Sequence, residues 1–345
     1  MKNIIERLQA HTVDIYNLRE DILREKIINA VDLLSPERFD LFAKLYYAKN
    51  RHDEKAKAKQ VYYEHIKAFN PSLKEPGRED KNGYEDFVQT FDTLIDNFSR
   101  NDFDNKISLV PITEDNVILD GAHRIAALAC FNKKVNVVVC EGVQPKARFD
   151  YQYFKNRGLA WNTMDIIANE MVKDIPNIYV ACLWPKMKEK SQAISTLKSE
   201  FPIAYEKNIS CNLTDFKQLI SIIYAGQPWV NEPESVNDKA LQCFDFKGDI
   251  HFVFFTSDSL ENVLSIKERI RNLYGQGKHT LHITDNAIET QVIAKNILIE
   301  EIRKNWKSSS SAQTLMERIA EHWYYFYKVQ LLNWKIKIAK LVGKS

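Results

Sequence analysis

Val117-Ile118-Leu119-Asp120-Gly121-Ala122-His123-Arg124-Ile125-Ala126-Ala127-Leu128-Ala129 runs from an apolar stretch into an acid and a glycine, then into a His-Arg pair at the head of an alanine-rich segment. That order predicts a strand, a tight turn and a helix. Gly121 permits a backbone conformation and close approach that other residues resist. The first N–H groups of the helix have no intrahelical acceptor, and the helix start carries partial positive charge, so the corner suits an anion. Arg124 adds a planar fork that matches phosphate, and His123 is a side chain able to change charge near neutral pH. Asp120 at the end of the strand is placed to hold a metal ion, orient His123 or take a proton. The plain alternative is a strand–turn–helix link with a solvated His-Arg pair.

Asp120-Gly121-x-His123-Arg124 followed by Ala126 and Ala127 resembles the signature of the ParB/sulfiredoxin-like superfamily, with Ile107–Ile112 and Val135–Cys140 as flanking strands. The resemblance covers roughly residues 32–141. It implies an α+β domain whose helix start cradles nucleotide phosphates, through Gly121, Ala122 and Arg124. The arginine-rich continuation of the partition proteins is replaced by Ile125-Ala126-Ala127-Leu128, and Ala122 stands where the sulfiredoxins carry cysteine. The DGxHR form is most similar to that of the free-serine kinases, which implies ATP or ADP and Mg²⁺, phosphoryl transfer to a small molecule, and a glutamate base near the start of the domain. Glu37 matches that glutamate by position.

The chain has 345 residues, enough for two domains with separate cores. With 48 basic and 46 acidic side chains the net charge is +2, so no global field favours nucleic acid. The five cysteines are far apart and form no CxxC pair, which predicts reduced thiols rather than disulfides or zinc ligands. The first residues lack the apolar core of a signal peptide, and no stretch reaches the length of a membrane span. These features predict a cytoplasmic enzyme.

Residues 1–49 read as helical, with Ser35-Pro36 opening a helix whose stripe is Phe39, Phe42, Leu45 and Tyr46. A charged stretch to Gly83 holds a short helix (Tyr62 to Phe69) and a mobile loop, and Phe87–Phe98 resumes helical spacing. If the helix after Pro36 faces the Asp120 corner, Arg38 and Lys44 supply charge to phosphates, and Glu37 or Asp40 serves as base. The alternative is that Asp40 and Lys44 form a surface i,i+4 pair.

Beyond Glu141, Asp150–Leu159 reads as a helix and turn and Met164–Lys173 as a helix; strands and helices then alternate from Ile178 to Trp306. Such alternation predicts an α/β layer with active groups at strand C-terminal ends. Lys278-His279-Thr280-Leu281-His282-Ile283-Thr284-Asp285-Asn286 with Glu289 offers a polar strand end before a helix, capped by Asp285 or Thr284. His282 and Asp285 are metal-ligand types without a third partner. Tyr224-Ala225-Gly226-Gln227-Pro228-Trp229 suits stacking on a sugar ring or base, or loop packing. Trp229, His279, His282 and Asp285 are therefore the acceptor-binding candidates. Asp249–Phe255 carries one acid where a nucleotidyltransferase strand needs two. Trp323–Ser345 holds five lysines and no acid on a helical aromatic stripe, which suits core packing, a homodimer seam or peripheral contact with the inner membrane surface.

Taken together, these features predict an α/β chain of three parts: a ParB/sulfiredoxin-like domain (1–149), a second α/β domain on the acceptor side (150–306) and a basic C-terminal helix (307–345). The expected activity is nucleotide-dependent phosphoryl transfer to a small hydroxyl compound, such as a sugar or sugar-containing intermediate of surface-polysaccharide assembly. Two other classes remain open: a nucleotide- or DNA-binding regulatory module, and a nucleotidyltransferase or glycosyltransferase centred on residues 178–306.

Overall fold

The computed structural model describes residues 3–74, 82–245, 248–273 and 277–307, with residues 323, 326–328, 330, 331 and 334. The C-terminal basic helix lies almost wholly outside the described residues, as do the Glu75-Pro76-Gly77 turn and the serine run from Ser308 to Ser311. The fold is mixed α/β, and the chain divides into two units between Ile175 and Pro176.

In the first unit, the opening region is not helical throughout. A short helix α1 (Ala10–Tyr16) leads into strand β1 (Leu23–Asn29), and helix α2 begins only at Phe39 and runs to Asn50. Strand β1 escapes a period-two reading because it is an edge strand: Leu23 is buried, while Arg24 to Ile27 are all exposed. Ser35 and Pro36 form a turn ahead of α2, with the Arg38 N–H donating to the Ser35 carbonyl at 2.9 Å. Helices α3 (Ala58–Phe69) and α4 (Tyr84–Arg100) follow, then β2 (Val110–Ile112), α5 (Ala122–Cys130) and β3 (Lys134–Cys140). The sheet order is β1-β3-β2, with β1 antiparallel and β2 parallel to β3.

The expected strand ahead of Asp120 shrinks to one bridge, Ile118 opposite Ile112, because the chain has only just turned back through Asn116 before Gly121 diverts it into α5. Helix α2 packs on α3, on α5 and on α7 (Trp161–Asp174). Phe39, Leu41, Phe42, Ala43, Leu45 and Tyr47 are all buried, so α2 is a central helix, apolar on nearly every side. Helices α6 (Tyr151–Asn156) and α7 belong to this unit, which moves the boundary from the expected residue 150 to 175.

The second unit holds the expected strands and helices and one helix more, α10, which follows α9 with no strand between: β4 (Ile178–Leu183), α8 (Lys190–Glu200), β5 (Ile203–Ser210), α9 (Leu213–Ile223), α10 (Pro233–Cys243), β6 (Asp249–Thr256), α11 (Leu260–Leu273), β7 (Leu281–Ile283) and α12 (Ala287–Leu298). A break at Ile299 separates α13 (Glu300–Trp306), so the single helix expected to Trp306 is two. The sheet order is β5-β6-β4-β7 and every neighbouring pair is antiparallel. Adjacent strands thus end at opposite edges, and the rule that gathers active groups at one edge of a parallel sheet has no force here. Ala181, Leu183, Val253, Phe255 and Ile283 form a core with α8 and α11. Cys182, Phe252 and Phe254, alternating with them, are equally buried on the other face, where α12 lies against β4 and α9 against α12.

Candidate functional sites

The Asp120 corner is built as the sequence implies, with one reversal. Gly121 is the N-cap of α5 at φ 89°, and no side chain caps the helix. Asp120, Gly121, Ala122, His123 and Arg124 are all half-buried. Arg124, however, turns inward. Its guanidinium donates to the Leu109 carbonyl at 3.1 Å and to Asp120 Oδ2 at 3.2 Å. Asp120 and Arg124 therefore brace the turn, and the main-chain N–H groups at the start of α5 are left without a side-chain cap. His123 Nε2 is 2.9 Å from the Tyr62 hydroxyl, and the imidazole meets the Phe91 ring edge-on at 4.8 Å. Tyr62 is fully buried and stacked on Tyr47 at 4.7 Å. The histidine is thus anchored between α3 and α4. Nothing in the sequence near the motif announces Tyr62, which lies 61 positions away.

Helix α2 does face this corner. Arg38 donates to the Ile118 carbonyl, two residues before Asp120, and its fork grips Asp40 at 2.8 and 3.0 Å. Lys44 reaches the same carboxylate at 2.9 Å. The pair is not a surface i,i+4 bridge: Asp40 is fully buried and Lys44 nearly so. Burial alone raises the Asp40 carboxyl, but the charges of Arg38 and Lys44 outweigh it and hold the acid well below the usual carboxylate range. An acid held so firmly ionised is a poor proton acceptor. Glu37 lies beside Arg148 at 3.6 Å and is partly exposed. Arg38 also sits over the Phe149 ring at 5.2 Å, and Lys44 over Phe69 at 5.6 Å.

His65 completes the cluster. It is fully buried against Phe154 at 5.1 Å, and neither ring nitrogen has a hydrogen-bond partner. Burial and the neighbouring Lys44 push it well below the usual histidine range, so it is neutral.

In the second unit, Trp229, His279, His282 and Asp285 all line one cavity of about 1070 Å³, although the sequence presents them as two separate stretches. His279 stands in a single 3-10 turn (Gly277–His279), outside β7. The helix cap is Asn286, whose side chain accepts from the Glu289 N–H at 2.9 Å; neither Asp285 nor Thr284 plays that part. His282 pairs with Glu289 at 2.8 Å, and Asp285 is taken by Lys267 at 2.8 Å, so the two do not form a metal pair. Among the described residues no group of three or more His, Cys, Asp or Glu is placed to hold a metal. At the first corner Asp120 is a single carboxylate with one oxygen on Arg124, which fits a magnesium ion held chiefly by nucleotide oxygens and water. All five cysteines are free thiols and four are buried; burial pushes the Cys140 and Cys243 thiols up to about 11. Among the described residues no helix is long and apolar enough to cross a membrane.

No family model, no curated protein and no solved structure matches the chain.

Proposed function

We propose that the first unit binds nucleotide phosphates at the start of α5 and that the protein transfers a phosphoryl group to a small hydroxyl compound, a sugar or sugar-bearing acceptor. The observation that carries the reading is the helix start itself: Gly121 in the left-handed region, no side-chain cap, and Asp120, His123 and Arg124 each fixed by a named partner. Phosphoryl transfer demands positioning and positive electrostatics more than covalent chemistry. Here the backbone supplies the donors and the side chains supply rigidity. Asp120 would hold magnesium, which shields phosphate charge when bound. Glu37 is the proposed acceptor of the attacking hydroxyl's proton, and Arg38 and Lys44 contribute through the field of a cluster that also fixes Asp40. The similarity of Asp120-Gly121-x-His123-Arg124 to the free-serine kinase motif supports the same reading. A cytoplasmic location follows from this proposal.

The test is incubation of the full chain with labelled ATP or ADP, Mg²⁺ and a panel of hydroxyl acceptors. Transfer should be present in wild type and lost in Glu37→Gln and Asp120→Asn. Persistence of full activity in both folded variants overturns it. A second reading, a nucleotide-binding module without turnover, is favoured by the way Arg124 and Asp40 are consumed in internal bonds. Nucleotide-induced thermal stabilisation without transfer to any acceptor selects that reading.

A further inference from the structure

The cavity of the second unit has a composition that selects among ligands. Among the described lining residues the lysines and arginine are Lys239, Lys267 and Arg271, and each is already engaged. Lys267 donates to Asp285 at 2.8 Å and to the Ile283 carbonyl at 2.7 Å. Arg271 pairs with Glu268 at 2.7 Å, and Lys239 lies over the Tyr224 ring at 5.5 Å. The start of α12, which also faces the cavity, is closed by its own Asn286 cap. Among the described lining residues each of these cations already has a partner, and a phosphate entering here meets the carboxylates of Asp238, Asp285 and Glu289.

What the wall offers instead is an aromatic corner beside paired acceptors. Tyr224 and Trp229 meet at 5.2 Å with their planes 55° apart, and His282 stands edge-on to Tyr224 at 4.9 Å. Such faces pack against the C–H face of a sugar ring, and their apolar area contributes without a charge. Glu289 Oε1 lies 2.8 Å from Nε2 of His282. His282 lies nine-tenths buried at the cavity wall, so the His282–Glu289 pair is a fixed polar element of it. Burial opposes the charge on Glu289, but the His282 bond and Lys267 win and hold it below the usual carboxylate range. A charged carboxylate accepting hydroxyl hydrogens beside amide side chains (Asn286, Gln242) is suited to a ligand with many hydroxyls. At about 1070 Å³ the space exceeds the need of a single hexose.

We propose that this cavity binds a neutral, polyhydroxylated ligand, a sugar or sugar-bearing molecule without phosphate, packed on Tyr224 and Trp229 and oriented by the His282–Glu289 pair. The proposal rests on the acceptor half of the reading above and not on its catalytic half. The measurement is calorimetric titration of the full chain with N-acetylglucosamine, glucose and maltose, against glucose 6-phosphate and inorganic phosphate. A neutral sugar should bind saturably, glucose 6-phosphate should bind no tighter than glucose, and Glu289→Gln and Trp229→Ala should each weaken binding by about tenfold. Thermal unfolding checks that each variant is folded; should Glu289→Gln fail to fold, Trp229→Ala decides alone. Absence of binding by all three neutral sugars, preference for the phosphorylated sugar, or binding unchanged in the folded variants overturns the proposal. Sugar binding without phosphoryl transfer counts against the proposed activity and leaves this site standing; transfer to a non-sugar hydroxyl compound with no sugar binding does the reverse.

Discussion

The Arg124 guanidinium lies directly beneath Gly121: a Cβ added to that glycine would stand 2.8 Å from Arg124 Nη2, the nitrogen that holds Asp120 at 3.2 Å. The glycine is thus required twice, once for its φ of 89° and once for the space its arginine brace occupies. The second demand is mild, since the end of an arginine can shift, whereas the left-handed backbone costs an L-residue about 1–2 kcal/mol. Gly121→Ala is expected to lower unfolding free energy by about that much in denaturant titration. It should also abolish nucleotide-induced thermal stabilisation, because the start of α5 is displaced. A variant that keeps both its stability and its nucleotide response shows that the turn is not the phosphate cradle.

Asp40 separates structural from catalytic roles. It neutralises Arg38 and Lys44 inside the protein, so Asp40→Asn leaves two buried cations with one neutral partner. Breaking a buried ion network in this way costs about 3–5 kcal/mol. By contrast, replacing all three members with apolar residues of similar volume is expected to cost far less, because no charge is then left unpaired. Chemical denaturation of the single and triple variants measures the difference. At a temperature where Asp40→Asn is still folded, transfer should survive, while Glu37→Gln should abolish it. The opposite pattern makes Asp40 the base.

The buried cluster also predicts acid lability in two windows. His65 is held below its ordinary value of 6.5, so below that pH the unfolded chain binds a proton that the folded chain refuses, and stability falls as pH falls. Asp40 is held below 3.8; its contribution is complete above that value and is lost as pH drops beneath it. The charged groups that bear on His65 are Lys44 and Arg38, which oppose its protonation, and Asp40, which favours it. His65→Phe, which keeps a ring against Phe69 and Phe154, should flatten the decline that sets in below 6.5 and leave the one that sets in below 3.8. Equal pH profiles of unfolding for wild type and variant would show that His65 takes up its proton equally in the folded and the unfolded chain.

Local signals carried the strand–helix alternation of the second unit, since β5 and β6 run over the residues their alternation implies. They also carried the turn at Gly121. What local signals do not encode is pairing. The antiparallel order β5-β6-β4-β7 depends on which strands meet, and that is decided by long-range burial. Strand β1 was invisible because neither of its faces is continuously covered. The same limit applies to the sites. Asp120, His123 and Arg124 declare themselves within five positions, but the partners that fix His123 and Arg124 (Tyr62 and Leu109) are brought in by tertiary packing. The charge pattern of α2 marked Asp40 and Lys44 correctly as a pair and gave no sign that the pair is buried, because the stripe of Phe39, Phe42, Leu45 and Tyr46 leaves the pair on another face, and the helices that cover that face come from elsewhere in the chain.

The bond from Tyr62 to His123 gives the most direct test of whether the first corner is functional. If His123 only packs, removing the phenol oxygen costs the hydrogen bond, about 0.5–1.5 kcal/mol of stability, and nothing else. If the imidazole positions the start of α5 for chemistry, Tyr62→Phe should also reduce transfer. The reduction should fall on kcat more than on KM, since orientation matters most in the transition state. His123→Ala should reduce transfer further, and the double variant should be no worse than His123→Ala alone, because the phenol acts only through the ring it holds. Additive losses in that cycle would mean that the Tyr62 hydroxyl does not act through His123.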